Sequence, residues 1–408
     1  MKHNAFLLGR RREGRLWQGS GYANEDGHAK KKVLMLASVA SMIDQFNMSN
    51  ICILLEMGYE VHVACNFVEG NTCDKERVQK LMHRLKKMHV AYHQWDCPRN
   101  IYAVCRCVKA FVQLWRLTGR HSFLWMHCQS PIGGVLARLV AHHKRIRVIY
   151  TAHGFHFYMG APLRNWLLYY PVEKKLSYWT DILVTVNRED YWFAKRHLKA
   201  GKICYIPGVG VDLARFSVCK VRSRQRFHKI FQIPEQAKVL LSVGELNKGK
   251  NHRLVLEALA HLDRQDVYYL ICGQGRMRRK LQCYAKRLGV EKNIRMPGFQ
   301  ENMPWIYQNA DIFVFPSVRE GMPVALIEAM ASGMPCVVSD VRGNRELVQQ
   351  RFDPNHSRQL AELLSQMLSD RQMCQRCGME NHKNARRYAQ EIVKKRMKEI
   401  YRCQEFLY

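Results

Sequence analysis

No apolar run in the sequence approaches the roughly 20 residues needed to cross a bilayer. The opening stretch, MKHNAFLLGRRREGRLW, carries charge but no apolar core, so it is not expected to act as a secretory signal. No Gly-x-Gly-x-x-Gly follows the first strand-like segment, which argues against a dinucleotide oxidoreductase. The fifteen cysteines are scattered rather than framed, and most, such as Cys65, Cys272 and Cys336, fall inside strand- or helix-like runs. That pattern fits reduced, buried thiols in a cytoplasm. Cys374 and Cys377 have a metal-like spacing but no second pair nearby, so zinc is not expected there. Acidic residues are scarce: 34 Asp and Glu stand against 65 Lys and Arg, a formal net charge of +31. The first 32 residues supply only +5 of it, and basic clusters recur at 80–87, 138–147, 276–280 and 394–398. Such a field attracts polyanions, whether anionic lipid, phosphorylated substrate or nucleic acid. It reads equally as a solvated surface with no specific partner. An anionic membrane surface is the expected partner; nucleic acid is not.

At 408 residues and 47% hydrophobic content, the chain is long enough for two domains with real cores. Residues 1–30 are Gly- and Arg-rich without periodicity, and are expected to be a disordered basic extension or an upstream start artefact. From Lys32 onward, strand-like runs lie at 32–37, 59–64, 124–128, 148–151, 182–186 and 203–206. Helical patterns cover 132–142 and 188–198, and an earlier one runs through Met57 to a stop at Gly58. This βαβα order predicts an α/β fold with a doubly wound parallel sheet. Residues 208–212 read as a Gly-rich hinge behind Pro207. A second alternating series follows at 239–243, 268–272, 294–296, 312–315 and 336–339. The predicted organisation is a first domain over 31–207, a second over 213–383, and a tail over 384–408 whose residues 384–401 form a basic amphipathic helix.

The stretch that organises the second half is DIFVFPSVREGMPVALIEAMASGMP, residues 311–335. Residues 312–315 are sized for a strand buried on both faces, and Pro316 and Ser317 break it. Good helix formers follow over 324–331, with Pro323 suited to the first helical position and Gly333 and Pro335 as stops. A strand, a tight turn and an uncapped helix start aim free N–H groups at an anion. Glu320 stands just before that start and Glu328 lies in its second turn. Neither carboxylate helps bind phosphate, but both suit sugar hydroxyls. The expected ligand is a phosphate attached to sugars.

With its flanks, the frame FPS-x-x-EGMPVALIEAMASGMPCV resembles the signature of the retaining glycosyltransferases of family 4. That family has the GT-B architecture, two Rossmann-like domains facing across a cleft with a final helix crossing back. The resemblance covers about residues 31–348 and, more loosely, the last helix. It implies donor binding by Glu320, Gly321, Met322, Pro323, Val324 and Glu328, with the helix start on phosphate, Glu328 on ribose and Glu320 on the donor sugar. The loop Val243-Gly244-Glu245-Leu246-Asn247-Lys248-Gly249-Lys250 resembles the family's donor-phosphate loop, with Lys250 at the position of its lysine. A cation there meets charge developing on the leaving diphosphate. Glu245 replaces the family's usual arginine, which leaves Lys248 as the candidate second cation. Gly273 and Gly275 resemble the glycines that let the nucleotide approach the backbone, and Phe299 lies where relatives hold the base. His153, at a strand end beside Gly154, matches the family's active-site histidine and completes an implied catalytic set with Lys250 and Glu320. His127, Gln129, Gly133, His156 and Asn187, near other strand ends, are acceptor-side candidates. The aromatic run at 163–170 reads either as a membrane-dipping segment or as a core helix.

Two features depart from the family pattern. Relatives usually carry Gly-Gly in the first strand–helix loop, where this chain has Val39-Ala40-Ser41-Met42-Ile43, so acceptor binding there is not readable. Residues 343–348 pass almost directly into 349–354, so the chain looks internally shortened. An edge of the second sheet is then expected to lose its covering strand. The run IYTAHGFHFYMGAPLRNWLLYYPVEKKLS looks like that of bacterial exopolysaccharide and capsule enzymes. The resemblance then implies a retaining, metal-independent hexosyltransferase. Its co-substrate would be a nucleotide sugar, a UDP-hexose or UDP-N-acetylhexosamine, with no cofactor. Its acceptor would be a polyprenyl-diphosphate-linked glycan, met at the inner face of the cell membrane. Two other readings stand beside it: a sugar-nucleotide epimerase of the same fold, for which no acid/base set around the sugar C2 is evident, and a degenerate relative that only binds polyanions. Oligomeric state is not readable.

Overall fold

The computed structural model describes residues 30–405 apart from Thr72, Ile101 and residues 218–222; the expected basic extension lies outside the described residues. The pattern is set by β1 (Lys32–Val39), whose Val33, Met35 and Ala37 enter one core and whose Leu34 and Leu36 enter another. A strand covered on both faces reads as a continuous apolar run, and such strands pair in parallel between helical layers. With it lie β2 (Glu60–Asn66), β3 (Ala91–Gln94), β4 (Phe123–Cys128), β5 (Arg147–Ala152), β6 (Ile182–Thr185) and β7 (Lys202–Tyr205). Their order is β3-β2-β1-β4-β5-β6-β7, with every pair parallel. The second sheet holds β8 (Lys238–Val243), β9 (Val267–Cys272), β10 (Ile294–Gly298), β11 (Ile312–Phe315), β12 (Cys336–Ser339) and β13 (Arg351–Phe352). It is ordered β10-β9-β8-β11-β12-β13, again all parallel. The two doubly wound sheets anticipated from the sequence are present.

The sequence reading passes over β3 and the helices Lys75–Lys87 and Val104–Arg120. β3 is an edge strand of alternating exposure with no apolar run. The first of the helices buries only Val78, Leu81 and Leu85 within a segment that reads as a basic cluster. The helix expected to reach Met57 is two helices, Ala40–Phe46 and Met48–Glu56, broken at Asn47. Asn47 is fully buried; its amide donates to the Met42 carbonyl at 3.1 Å and its oxygen accepts from Asn50 at 3.2 Å, which satisfies a polar side chain inside the bend. The basic cluster at 138–147 is partly internal, since Arg138 is buried against Glu173 at 2.6 Å.

The expected open edge of the second sheet is closed. β13 pairs with β12 through Val338↔Arg351 and Ser339↔Phe352, and the Phe352 ring is buried. Tight turns over 342–347 shorten the connection without removing the strand. The expected helix from residue 384 is also divided. Helix Arg371–Ala385 ends, the chain turns through Arg386–Tyr388, and a final helix runs over Gln390–Glu405. Its Val393, Met397, Ile400 and Tyr401 pack into the first sheet's core. Residues 208–212 and the tail lie side by side there: the Val211 N–H donates to the Tyr388 carbonyl, and the Gln390 N–H to the Val211 carbonyl, each at 3.0 Å. A Cβ on Gly210, at φ +81°, would stand 2.8 Å from the Gln390 Cα, so this crossing needs glycine. Cys374 sits within a helix, its Sγ 3.0 Å from the Met367 carbonyl. Among the described residues no helix is long and apolar enough to cross a membrane.

Candidate active site

The loops leaving the carboxyl ends of β5 and β11 meet between the two sheets. A Cβ on Gly321 would stand 1.8 Å from the His153 carbonyl oxygen, and one on Gly154 3.1 Å from the Gly321 Cα. Glycine on both sides lets the two backbones touch, and the contact brings His153 next to the Glu320–Gly321 turn. The His153 Nε2 lies 3.0 Å from Gln129 Oε1, and its ring centroid 6.0 Å from that of Phe46. A carbonyl oxygen accepts, so the imidazole proton sits on Nε2. Burial lowers the His153 pKa to about 4, which leaves the ring neutral at pH 7. Gln129 is itself buried and donates to Asn47, so the bend in the first helix pair supports the histidine from behind.

On the second sheet, three strand-end loops are stacked. A Cβ on Gly273 would meet the Gly244 carbonyl oxygen at 1.9 Å, and one on Gly275 the Leu246 carbonyl oxygen at 2.4 Å. The Gly273 N–H donates to the Gly298 carbonyl at 2.9 Å, which brings the turn before Phe299 into the same group; the Phe299 ring is exposed. The Asn247 side chain accepts from the Lys250 N–H at 3.0 Å, and that short turn carries the Lys250 ammonium to 2.7 Å from Glu320 Oε1. Lys248 stands exposed on the same turn, so it is Lys250 that the fold aims at the glutamate. The helix behind Glu320 runs over Val324–Ala331, with Pro323 as its N-cap rather than its first residue, and no side chain caps it. Met322 packs into both sheets' cores and against Gly208, so its side chain is interdomain packing and not a donor contact. Glu328 accepts from the buried Tyr307 hydroxyl at 3.0 Å, and burial raises its pKa to about 7.

A residue the sequence reading missed binds the halves together. Arg342 is buried; its guanidinium donates to Asp190 at 2.7 Å, to the Phe155 carbonyl at 2.9 Å and to the Glu320 carbonyl at 3.2 Å. Reading the segment after every parallel strand as cleft-facing would have found it, because it follows β12.

The acceptor-side candidates divide. His156 lines a cavity of about 580 Å³ with Ser38, Ser41, Asn100, Tyr169 and, from the second sheet's side, Arg319. Burial, then Arg319 and Arg342, lowers the His156 pKa to about 4. Gln129 positions His153. The other three are structural. His127 is fully buried, with Nδ1 on the Tyr401 hydroxyl at 3.0 Å and Nε2 on Thr151 at 2.8 Å, so neither nitrogen is left for a substrate. Gly133 gives room to Ser130 and Trp95. Asn187 caps helix Arg188–His197, its oxygen accepting from the Asp190 N–H at 2.8 Å.

Residues 223–384 match the family described as Glycosyl transferases group 1, and residues 32–187 the family described as Glycosyl transferase 4-like. EpsD of Bacillus subtilis (strain 168), named as a glycosyltransferase, is 34% identical over 91% of this chain and 96% of its own length. The chain belongs to the glycosyltransferases of the exopolysaccharide type. The glycosyltransferase is also 30% identical, over 62% of its length and 67% of the relative's, to an Escherichia coli protein. That relative is named UDP-Gal:alpha-D-GlcNAc-diphosphoundecaprenol alpha-1,3-galactosyltransferase. Among solved structures, Anabaena HepE in complex with UDP and glucose matches with a TM-score of 0.72 at 16% identity, over 91% of this chain and 100% of HepE. WaaG, a glycosyltransferase involved in lipopolysaccharide biosynthesis, matches with a TM-score of 0.69 at 17% identity, over 90% and 99%. These likenesses carry the GT-B fold.

Proposed function

We propose that this glycosyltransferase moves a hexose or N-acetylhexosamine from a UDP-linked donor to a polyprenyl-diphosphate-linked glycan, with retention of configuration and without metal or cofactor. One observation carries the reading. A neutral His153 touches, through its backbone, the turn whose Glu320 holds Lys250, so a sugar-facing ring and a phosphate-seeking cation meet between the sheets. The UDP-bound neighbour supports the nucleotide, and the diphosphoundecaprenol in the Escherichia coli relative's name supports the acceptor.

In this reading residues 31–207 form the acceptor side and 213–383 the donor side. Lys250 passes from Glu320 to the leaving diphosphate, with Lys248 and the N–H groups of Gly321, Met322 and Val324 nearby. Gly244, Gly273 and Gly275 admit the nucleotide to the backbone, the segment at Phe299 meets the base, and Glu328 holds the ribose. Glu320, once released, takes hydroxyls of the donor sugar beside His153. The C1–O bond to the diphosphate breaks and a leaving phosphate oxygen takes the proton of the acceptor hydroxyl. The new C1–O bond forms on the face that the phosphate left, so no second carboxylate need bracket the bond. The acceptor reaches C1 through the cavity beside His156. Leu163, Leu167 and Leu168, exposed on helix Leu163–Ser177, and the net charge of +31 support attachment to the inner membrane face.

The test pairs thermal melting against nucleotides, with and without EDTA, with product analysis. A UDP-selective, EDTA-insensitive rise in midpoint is expected, because a ligand of the folded state must stabilise it. Transfer to an undecaprenyl-diphosphate-linked sugar should give a product with the donor's own anomeric configuration. No nucleotide response from a cooperatively melting protein, or an inverted product, would sink the proposal. Turnover without any acceptor would instead favour an epimerase. The polyanion-binder reading loses one of its two supports now that β13 pairs with β12, and keeps the net charge of +31.

A further inference from the structure

Three histidines with no part in that chemistry converge at the far side of the first sheet. His62 lies on β2, His93 on the edge strand β3, and His121 ends helix Val104–Arg120 two residues ahead of β4. His121 therefore stands at the amino end of the sheet, whereas the active-site loops leave the carboxyl ends. One ring nitrogen from each histidine lies within 4.8 Å of the others. His62 Nδ1 and His93 Nε2 are 2.9 Å apart, and the His121 ring centroid is 4.9 Å from that of His62 and 5.6 Å from that of His93.

The buried member of the group is already oriented. His62 Nε2 lies 2.9 Å from Glu60 Oε1, and a carboxylate accepts, so the proton is on Nε2 and the Nδ1 lone pair faces His93. A ligating imidazole that donates its other N–H to a carboxylate is the usual support for a metal-bound histidine. His93 and His121 are half-buried, which gives an ion a way in from solvent. Packing explains the edge contact of His62 with Phe123 at 5.1 Å. With no ion bound, a His93 Nε2–H bond to the His62 Nδ1 lone pair links those two rings. It is the convergence of a third ring nitrogen, from His121, that points to an ion.

We propose that His62, His93 and His121 bind a late first-row divalent cation, Zn²⁺, Ni²⁺ or Cu²⁺, with water completing the shell. Neutral imidazoles suit these ions, whereas calcium and magnesium take oxygen ligands. Two nitrogens on one tetrahedral zinc stand about 3.3 Å apart. Insertion thus lengthens the His62–His93 nitrogen separation by a few tenths of an ångström. Those rings, 13° from parallel, turn their lone pairs to the ion, and the His121 nitrogen, within 4.8 Å, moves in. The bound ion would staple β2 and β3 to the turn ahead of β4.

Chelator-treated full-length protein, titrated calorimetrically with ZnCl₂, NiCl₂ or CoCl₂ alone, tests this. One ion per chain is expected, with a raised melting midpoint. The Co²⁺ form should show a nitrogen-ligand spectrum with no thiolate-to-metal charge-transfer band. His93→Gln and His121→Gln should each weaken binding by about tenfold or more, and Glu60→Gln by about tenfold, with the UDP response kept. X-ray absorption of the zinc-loaded wild-type protein needs no variant: imidazole scattering is expected from three ligands. Absence of binding, sulfur scattering from the cysteines, or equal affinity in the His93→Gln/His121→Gln double variant would overturn the site.

Discussion

Lys250 Nζ lies 2.7 Å from Glu320 Oε1, and the ammonium also covers the Phe315 ring with 4.7 Å to its centroid. The cation proposed for the leaving phosphate is therefore held, before any donor binds, by the carboxylate proposed for the sugar. Both groups are mostly buried, at 25% and 14% exposure, so the pair is better shielded than a surface ion pair. Donor binding exchanges one anionic partner of Lys250 for another and frees Glu320 in the same event.

Lys250→Ala should lower kcat by about 10²- to 10³-fold, the usual loss when a group aimed at developing charge is removed. The UDP-induced rise in melting midpoint should vanish with it. Steady-state kinetics and melting curves check the two halves. Loss of turnover with an intact UDP shift would place the diphosphate elsewhere.

Glu320→Gln makes the opposite prediction for binding. It removes the carboxylate that competes with phosphate for Lys250, so UDP should bind at least as tightly as to the wild type, while transfer from the UDP-sugar falls. Calorimetry with UDP alone separates the effects. If UDP affinity drops as far as it does in Lys250→Ala, the exchange of partners is wrong.

Glu328 gives a pH dependence. Burial raises its pKa from the ordinary 4.5 to about 7, against smaller opposing effects of Tyr307 and Arg215. The folded, ligand-free protein thus holds a proton that the unfolded chain releases. That contribution to stability is complete below about 4.5 and is lost as pH rises through about 7. Ribose hydroxyls donate, so donor binding favours the ionised form. UDP affinity is expected to climb as pH rises through about 7 and then level off, with a shallower slope in Glu328→Gln. The diphosphate's own titration is common to both proteins, so calorimetric profiles that run parallel would remove Glu328 from the ribose.

How far the molecule was legible depended on where each residue's partner lies. β1 and β11 announce themselves because both faces of each are covered, leaving unbroken apolar runs. The Glu320–Gly321 turn reads from its own punctuation. His127 and His153 illustrate the limit. Each belongs to a strand-end segment, but His127 is still inside β4 and turns into the core to meet Tyr401, a partner 274 residues away that no local pattern reveals. His153 lies one residue beyond β5 and escapes the core. Asn187 was misread for a different reason: an Asn three residues ahead of an Asp at a helix start is an N-cap, and that signal was available. The break at Asn47 and the closure by β13 depend on tertiary partners, Gln129 and β12, and carry no signature of their own.

Gly321→Ala tests the meeting of the two loops. The added Cβ would stand 1.8 Å from a backbone oxygen of His153, and backbone cannot step aside as a flexible side chain can. The loops must part, which displaces His153 from the donor side. Turnover should fall by about 10²-fold or more, a loss typical of misplacement by about an ångström. UDP binding should weaken far less than turnover falls, because the displaced Gly321 N–H is one of several phosphate-facing groups and the loops around Lys250 and Gly273 belong to the second sheet alone. A variant with wild-type kcat would show that the contact is incidental.

Arg342 and Asp190 provide the last test, because they join the halves through a pair at 2% and 3% exposure. Arg342→Met leaves Asp190 buried with only Asn187 and the Phe155 N–H as partners. Breaking a buried pair from one side costs about 3–5 kcal/mol, most of it the uncompensated charge. Arg342→Met/Asp190→Asn should therefore lose less stability than the two single changes added together. Arg342→Lys keeps the charge but not the planar fork that reaches Asp190, Phe155 and Glu320 at once. It should recover part of the stability and little of the turnover, since the Glu320 carbonyl loses its tether. Denaturant melts and kcat of the four proteins decide the matter. Strict additivity in the double variant would show that the two side chains do not act as a pair, and wild-type turnover in Arg342→Lys would free the Glu320 turn from this guanidinium.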